Sequence, residues 1–383
     1  MRVKILSMQR VLNYGSFMQA YAMKRIVESY GHEVEFCDFR KGQPRHRGEK
    51  APGEHLLDKA KKIPGIIAAP ARYAEKRRFR RRLRECFEQQ AWPLLGFGSR
   101  PNFDTCCDLM LIGSDEVFNY TQNQTFGYVP TLFGHGIEAH RIIAYAASAG
   151  YATPNDVEND DMQMELSEGF AKFWRIGVRD RNTYELVARY APEQPTYVID
   201  PTLVYDFADE IIEAAPRAPY LLVYAYEGRL DAPNEVRIIR AFAAQKGLRV
   251  VSIGSYHQWC DENLVAAPLE LLALFKNAAY VVTDTFHGTI FSIKGRRPFV
   301  SLIRGENKWG SNQNKLSFLL EQLGLESRIN RDLGQLGAHL DSTIDYERVF
   351  TTLASLQARS VEFLAESLAA NLELPAAMNK TCQ

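Results

Sequence analysis

Six cysteines in 383 residues are too few for a disulfide scaffold. Cys37, Cys86, Cys260 and Cys382 are isolated and Cys106-Cys107 are adjacent, so none has the C-x-x-C spacing of a zinc or redox site. All six read as reduced, buried thiols. Net charge is missing too: forty-six Lys and Arg balance forty-six Asp and Glu. That excludes a uniformly basic nucleic-acid binder and an acidic disordered chain. No apolar run approaches the roughly 18–20 residues that span a bilayer. Met1 to Asn13 has no sustained apolar stretch and no cleavage-like end, so a cytoplasmic location is expected. Gly-x-Gly-x-x-Gly, Gly-x-x-x-x-Gly-Lys-Ser/Thr, Gly-x-Ser-x-Gly and His-Glu-x-x-His are all lacking. Glu158-Asn159-Asp160-Asp161 reads as a helix start, not a metal loop, and nothing requires a metal or a resident cofactor.

What remains is ordinary soluble composition, 46% hydrophobic and 24% charged, at a length that favours two domains. The opening reads strand (3–8), loop Asn13-Tyr14-Gly15-Ser16, a helix ending at Gly31, then a strand from Glu33 to Phe39: one βαβ unit. Further strands are expected at 108–113, 142–147 and 176–178, and Val198-Ile199-Asp200-Pro201 closes this half. After a connection at 206–219, strands are expected at 220–226, 249–254, 279–283 and 298–303. Helices are expected at 233–246, 268–277, 287–295 and 312–323. Two parallel α/β series imply two Rossmann-like domains facing across a cleft. The expected division is 1–210, 217–345, and a C-terminal helix and tail, 345–383, that packs back.

Neutrality hides one basic block. Residues 40–84 carry sixteen Lys and Arg against four acids, a net +12, so the remaining chain carries −12. Within this insertion, assigned to 40–90, Lys76 to Arg84 reads KRRFRRRLR. Two readings stand: a solvated helix face packed by Phe79 and Leu83, or a surface for anionic lipid, pyrophosphate or a phosphorylated substrate.

In open α/β sheets, ligands bind beyond the C-terminal strand ends. The segment Thr283-Asp284-Thr285-Phe286-His287-Gly288-Thr289 follows one such strand and opens a helix, whose N-terminus favours anions. Gly288 would let a ligand approach the backbone. His287 could donate to a phosphate or move a proton near neutral pH. Arg304, Lys308 and Lys315 follow and favour an anionic ligand. In the first half, Asn13-Tyr14-Gly15, Gly113-Ser114-Asp115, Ala147-Ser148 and Val178-Arg179 end strands on the same cleft. Asp115 is a candidate general base or a helix N-cap. Arg179 either reaches a carboxylate or phosphate, or pairs with Asp180 or Glu185.

Taken in order, Asn13-Tyr14-Gly15, Gln19-Ala20-Tyr21-Ala22, Ile112-Gly113-Ser114-Asp115 and Tyr145 to Gly150 resemble the polysaccharide pyruvyl transferase family. So do Val178-Arg179-Asp180, Asp200-Pro201-Thr202-Leu203, Thr283 to Thr289 and the helix Lys315 to Gly324, a likeness covering about residues 1–330. The resemblance implies a GT-B-like pair of domains. It also implies transfer of the pyruvyl group of phosphoenolpyruvate, a co-substrate, to hydroxyls of a sugar in a cell-surface glycan or lipid-linked precursor, forming a ketal. It places His287 and Asp115 as catalytic residues. Arg179, Thr285, Phe286, Gly288, Thr289, Arg304, Lys308 and Lys315 fall on the donor, and Asn13, Tyr14, Gly15, Ser114 and Ser148 on the acceptor. The chain departs from the family pattern at Thr285, where many members carry Arg, at Asn314-Lys315 for Ser-Arg, and at Glu116 and Phe118 for Gln and Trp. Exopolysaccharide or capsule synthesis is the implied setting; the basic block adds the expectation of peripheral membrane contact through 72–84, and the neutral total that of no nucleic-acid partner. The alternatives are a GT-B glycosyltransferase with a nucleotide-sugar donor, for which Asp261-Glu262 and Glu270 look misplaced in a loop and a helix, and a non-catalytic member of a glycan assembly complex.

Overall fold

The computed structural model describes residues 1–47, 70–98, 100–123, 125–214, 216, 218–303 and 313–369. Two parallel sheets of six strands organise them. The first comprises β1 (Arg2–Leu6), β2 (Glu33–Phe36), β3 (Cys107–Asp115), β4 (Ala139–Ala147), β5 (Arg175–Val178) and β6 (Thr196–Tyr197) in the order β2-β1-β3-β4-β5-β6. The second comprises β7 (Tyr220–Tyr224), β8 (Arg249–Ile253), β9 (Glu262–Leu264), β10 (Tyr280–Thr283), β11 (Phe299–Leu302) and β12 (Ile329–Asn330) in the order β12-β11-β10-β7-β8-β9. This is an α/β protein of two Rossmann-like halves, the GT-B-like arrangement expected.

The central strands are almost continuously apolar because helices cover both faces of a parallel sheet. β7, Tyr-Leu-Leu-Val-Tyr, is buried at every position, and β3 is buried from Leu109 to Ser114. Strand order reverses between β1 and β3 in the first sheet and between β7 and β10 in the second. Crevices open at such reversals, so Ser7, Ser114-Asp115, Tyr224-Ala225 and Thr283 to Thr285 stand where a ligand would bind.

Four helices begin at this level, each with its own side-chain cap. Asn13 accepts from the Gly15 and Ser16 amides, Asp180 from Thr183, Asp200 from Thr202, and Thr285 from Gly288. The halves are stitched by polar contacts. Tyr14 Oη donates to the Ala266 carbonyl at 2.6 Å, and Lys294 Nζ donates to the Tyr205 carbonyl at 2.9 Å. The helix Tyr346–Leu368 returns from the second half onto the first. Its Ser360 Oγ accepts from the Ile199 amide, and Gln357 donates to the Leu203 carbonyl.

Three expectations change. The helix Pro154–Asn159 ends at Glu158-Asn159 instead of starting there, because Thr153 and Asp156 form its capping box four residues earlier. Asp160 then binds Tyr120, His46 and the Arg47 amide. Glu262 opens a strand, β9, too short to stand out by pattern. Cys37, Cys86, Cys107 and Cys260 are free thiols, but Cys106 is disulfide-bonded, so not every thiol is reduced.

The basic insertion splits. Residues 48–69 lie outside the described residues, and 70–86 form a helix with Phe79 and Leu83 buried. Among the described residues no helix is long and apolar enough to cross a membrane.

Candidate active site

The two switch points meet around one carboxylate. Asp200, wholly buried at the start of the helix Pro201–Val204, accepts at Oδ1 from the Thr202 amide and hydroxyl at 3.0 and 2.6 Å. Its Oδ2 receives Arg179 Nη1 at 2.6 Å and Ser114 Oγ at 3.3 Å. His287, from the second half, places Nε2 3.5 Å from that same oxygen, within ion-pair range but short of a hydrogen bond. Burial alone would push the Asp200 carboxyl up. The charges of His287 and Arg179 and the Thr202 hydrogen bond overcome this and hold it well below the usual carboxylate range.

Arg179 is the hub of the first half. Its other amine reaches Asp115 Oδ1 at 3.2 Å, and its guanidinium lies 4.5 Å over the Phe286 ring. Burial opposes its charge, but Asp200, Asp115, Asp180 and Glu116 together raise its pKa. Arg179 Nε and His287 Nε2 are both buried and without a hydrogen-bond partner among the described residues. Buried polar atoms are normally satisfied, so two orphans in one place mark where a ligand would supply the partners.

His287 is held by shape as well as charge. Its ring stacks on Phe291 and meets Phe286 edge-on. Gly15 lies against it so closely that a Cβ there would sit 2.3 Å from Nδ1. Asp115, with φ near 80°, accepts from Ser16 Oγ at 2.6 Å. Beside it Glu116 pairs across the halves with Lys315 Nζ at 2.5 Å, both side chains about one-fifth exposed. Burial works to raise the Glu116 pKa, but Lys315, Asn119 and Arg179 bring it down to about 2. Exposed Tyr226 forms an outer wall, with Arg229 4.9 Å over its ring.

Of the residues singled out from sequence, His287, Arg179, Asp115, Phe286 and Gly15 converge here, and Lys315 joins through Glu116. Others spend their polar groups internally. Tyr14 Oη binds the Ala266 backbone, Ser148 Oγ donates to Asp180, and Thr289 Oγ1 lies 2.6 Å from Ser301 Oγ. Ser114 binds Gln19 and Asp200, Asn13 caps its helix, and Thr285 Oγ1 occupies the Gly288 amide. The space beside Gly288 is filled by Thr283 Oγ1, Thr285 Oγ1 and the Tyr224 ring, so its missing side chain serves packing here, not ligand approach. Asp115 caps no helix. Arg304 and Lys308 lie outside the described residues.

Sequence reasoning missed Asp200, Glu116 and Ser16 as members of the site. Asp200-Pro201 carried a usable signal, since Asp before Pro is a helix start that plants a carboxylate at a strand end. Glu116 had its adjacency to Asp115 and its departure from the family's Gln, neither of which pointed to Lys315. Among the described residues no group of three or more His, Cys, Asp or Glu could hold a metal ion.

The family model described as polysaccharide pyruvyl transferase matches residues 13–306. No curated protein sequence matches. Solved structures similar along nearly the whole chain include the glycotransferase of kitacinnamycin, at 12% identity and TM-score 0.46, covering 96% of this chain and 99% of that one. A Staphylococcus aureus MnaA structure with UDP aligns at 10% identity and TM-score 0.49, covering 98% of each. The spinosyn rhamnosyltransferase SpnG aligns at 12% identity and TM-score 0.39, covering 96% and 95%.

Proposed function

The chain belongs to the polysaccharide pyruvyl transferase family, a family of transferases, and from that premise we propose that it moves the pyruvyl group of phosphoenolpyruvate onto two hydroxyls of a glycan or its lipid-linked precursor. The observation that carries this reading is the meeting of Arg179 and His287. They come from opposite halves, both face Asp200 Oδ2, and each keeps one buried nitrogen without a hydrogen-bond partner among the described residues. Phosphoenolpyruvate has an anionic group at each end and suits a site with two such donors.

The chemistry balances with the groups at hand. A proton goes to C3, the first acceptor oxygen bonds to C2, and the second displaces phosphate from C2 to close the ketal. The two hydroxyl protons end on the new methyl group and on the departing phosphate. In this reading His287 holds the phosphate or carries the proton, Arg179 binds the carboxylate end, and Asp115 takes a proton from the acceptor. The donor binds in the site without a metal or resident cofactor.

Calorimetric titration with phosphoenolpyruvate tests the proposal. Saturable binding to the native protein and at least about tenfold weaker binding to His287→Ala are expected. Equal binding by the variant would remove His287 from the site. Binding of a nucleotide sugar, with none of phosphoenolpyruvate, would replace pyruvyl transfer with glycosyl transfer.

A further inference from the structure

We infer that the outer face of the helix Pro70–Cys86 docks the protein on an anionic lipid bilayer. This helix carries eight Lys and Arg against two Glu, a net +6, while the whole chain is neutral. The remaining residues therefore sum to −6, and the molecule is electrically polar, with this helix as its positive pole. A neutral protein so divided is not drawn to a negative surface from every side; it is turned, and this face arrives first.

The helix is anchored from within. Phe79, Leu83 and Cys86 are buried, the Phe79 ring lies 6.0 Å from Tyr256, and Cys86 Sγ donates to the Ala266 carbonyl. Lys76 and Arg80 both pair with Glu227, which leaves them committed. At about 100° per residue, Arg77, Arg78, Arg81 and Arg84 lie on the arc facing away from those buried side chains, and Arg82 stands at its edge. All five are exposed. Arg81 and Arg84 make only wide pairs, at 3.6 and 4.0 Å, with Glu85 and Glu88, and Arg77, Arg78 and Arg82 have no ion pair among the described residues. Tyr73, 48% exposed, stands on the same helix as an amphipathic anchor for the headgroup layer.

The occupant follows from shape and charge. A convex row of five guanidinium groups, with the one carboxylate of Glu85 on the same helix face, offers no concave pocket to a single small anion. It matches an extended plane of phosphates, which a leaflet rich in acidic lipid provides. Position gives the contact a use. Glu227, to which the helix is fastened, adjoins Tyr226 on the outer wall of the site. A protein held by this helix stays at the membrane surface, where a lipid-linked acceptor lies. The inference does not need the donor to be phosphoenolpyruvate, so its failure and that of the transfer reading are separable.

Vesicle co-sedimentation of the full chain decides it, using phosphatidylcholine alone or mixed with phosphatidylglycerol. Binding to the mixed vesicles only is expected, falling as salt rises. The triple variant R78Q/R81Q/R82Q should bind on the order of a hundredfold more weakly, at about fivefold per arginine. R237Q/R348Q/R359Q, which removes the same charge from other exposed positions, should bind as the native protein does. Circular dichroism of both variants should match the native chain, since every substituted residue is exposed. Equal binding to neutral vesicles would overturn the inference, and so would equal loss in both triple variants. Retention of a single-stranded RNA with no vesicle binding would overturn it too, in favour of a nucleic-acid surface.

Discussion

Two of the charge clusters that join the halves of this protein are built differently. At the inner one, Asp200 and Arg179 have side chains no more than 1% exposed, and His287 is 9% exposed. Every oxygen of Asp200 is engaged, and Arg179 and His287 each lack one hydrogen bond. At the outer one, Glu116 and Lys315 form a simple pair, 20% and 18% exposed. The inner cluster is expensive to desolvate and incomplete without a ligand, which is how a binding site looks. The outer pair is satisfied by itself and partly screened, which is how a fastening at a rim looks. Both bridge the halves; what separates the two is whether the protein finishes its own hydrogen bonds.

The largest expected effect comes from breaking the inner cluster. Asp200→Asn keeps the size and a partial cap for Thr202, but it leaves Arg179 with Asp115 as its one direct carboxylate partner and removes the charge facing His287. A loss of about 3–5 kcal/mol in urea unfolding is expected for a buried pair cut on one side. A loss under about 1 kcal/mol would mean that Arg179 finds water or another partner, and that the inner cluster differs little from the outer one.

Next in size is the support behind His287. Gly15→Ala would put its Cβ 2.3, 2.6 and 2.8 Å from Nδ1, Cγ and Cβ of that ring. These are atoms near the root of a stacked, buried side chain, so the ring must swing and not merely bend at its tip. Overpacking of this kind costs about 1–3 kcal/mol. Phosphoenolpyruvate affinity should fall along with thermal stability. Unchanged affinity would place the donor away from His287.

How far these clusters could be read from sequence depends on which contacts are local. Strands ending in small polar residues announced the crevice, and His287, Arg179 and Asp115 were found because each lies within five residues of the end of an apolar run. The long helices agree within a few residues for the same reason: their periodicity is local. Asp200 was passed over because β6 before it has two residues, too few for a pattern to mark a strand end. β9 and β12, of three and two residues, escaped likewise. Glu116 and Lys315 are the sharper case. Each stood out singly as a departure from the family resemblance, a carboxylate for an amide and an ammonium for a guanidinium. They lie 199 positions apart, and only the folded chain brings the two departures together as one ion pair.

Breaking that outer pair should cost less. Glu116→Gln retains hydrogen bonding to Asn119 and Gln122 and releases Lys315, with a loss of about 1 kcal/mol that shrinks as salt rises. The pH dependence has a definite sign. The Glu116 pKa is lowered from 4.5 to about 2 on folding, so its contribution is complete above about 4.5 and is lost as pH falls toward 2. Stability against pH should therefore slope less steeply over that window in the variant. An unchanged slope would assign acid sensitivity to Asp200, whose pKa is also lowered.

The smallest effect is expected farther out, where Glu227 holds Lys76 and Arg80 of the basic helix. The side chains there are 28%, 37% and 61% exposed, and exposed pairs are worth no more than about 1 kcal/mol. Glu227→Gln should shift the unfolding midpoint barely, and Phe79, Leu83 and Cys86 should keep the helix seated. The substitution also removes a negative charge beside the positive face, so binding to anionic vesicles should be equal or stronger. Loss of vesicle binding would show that the ion pairs, and not the buried apolar side chains, orient the helix. The contrast between self-satisfied fastenings and unfinished binding groups would then fail at the surface while holding in the cleft.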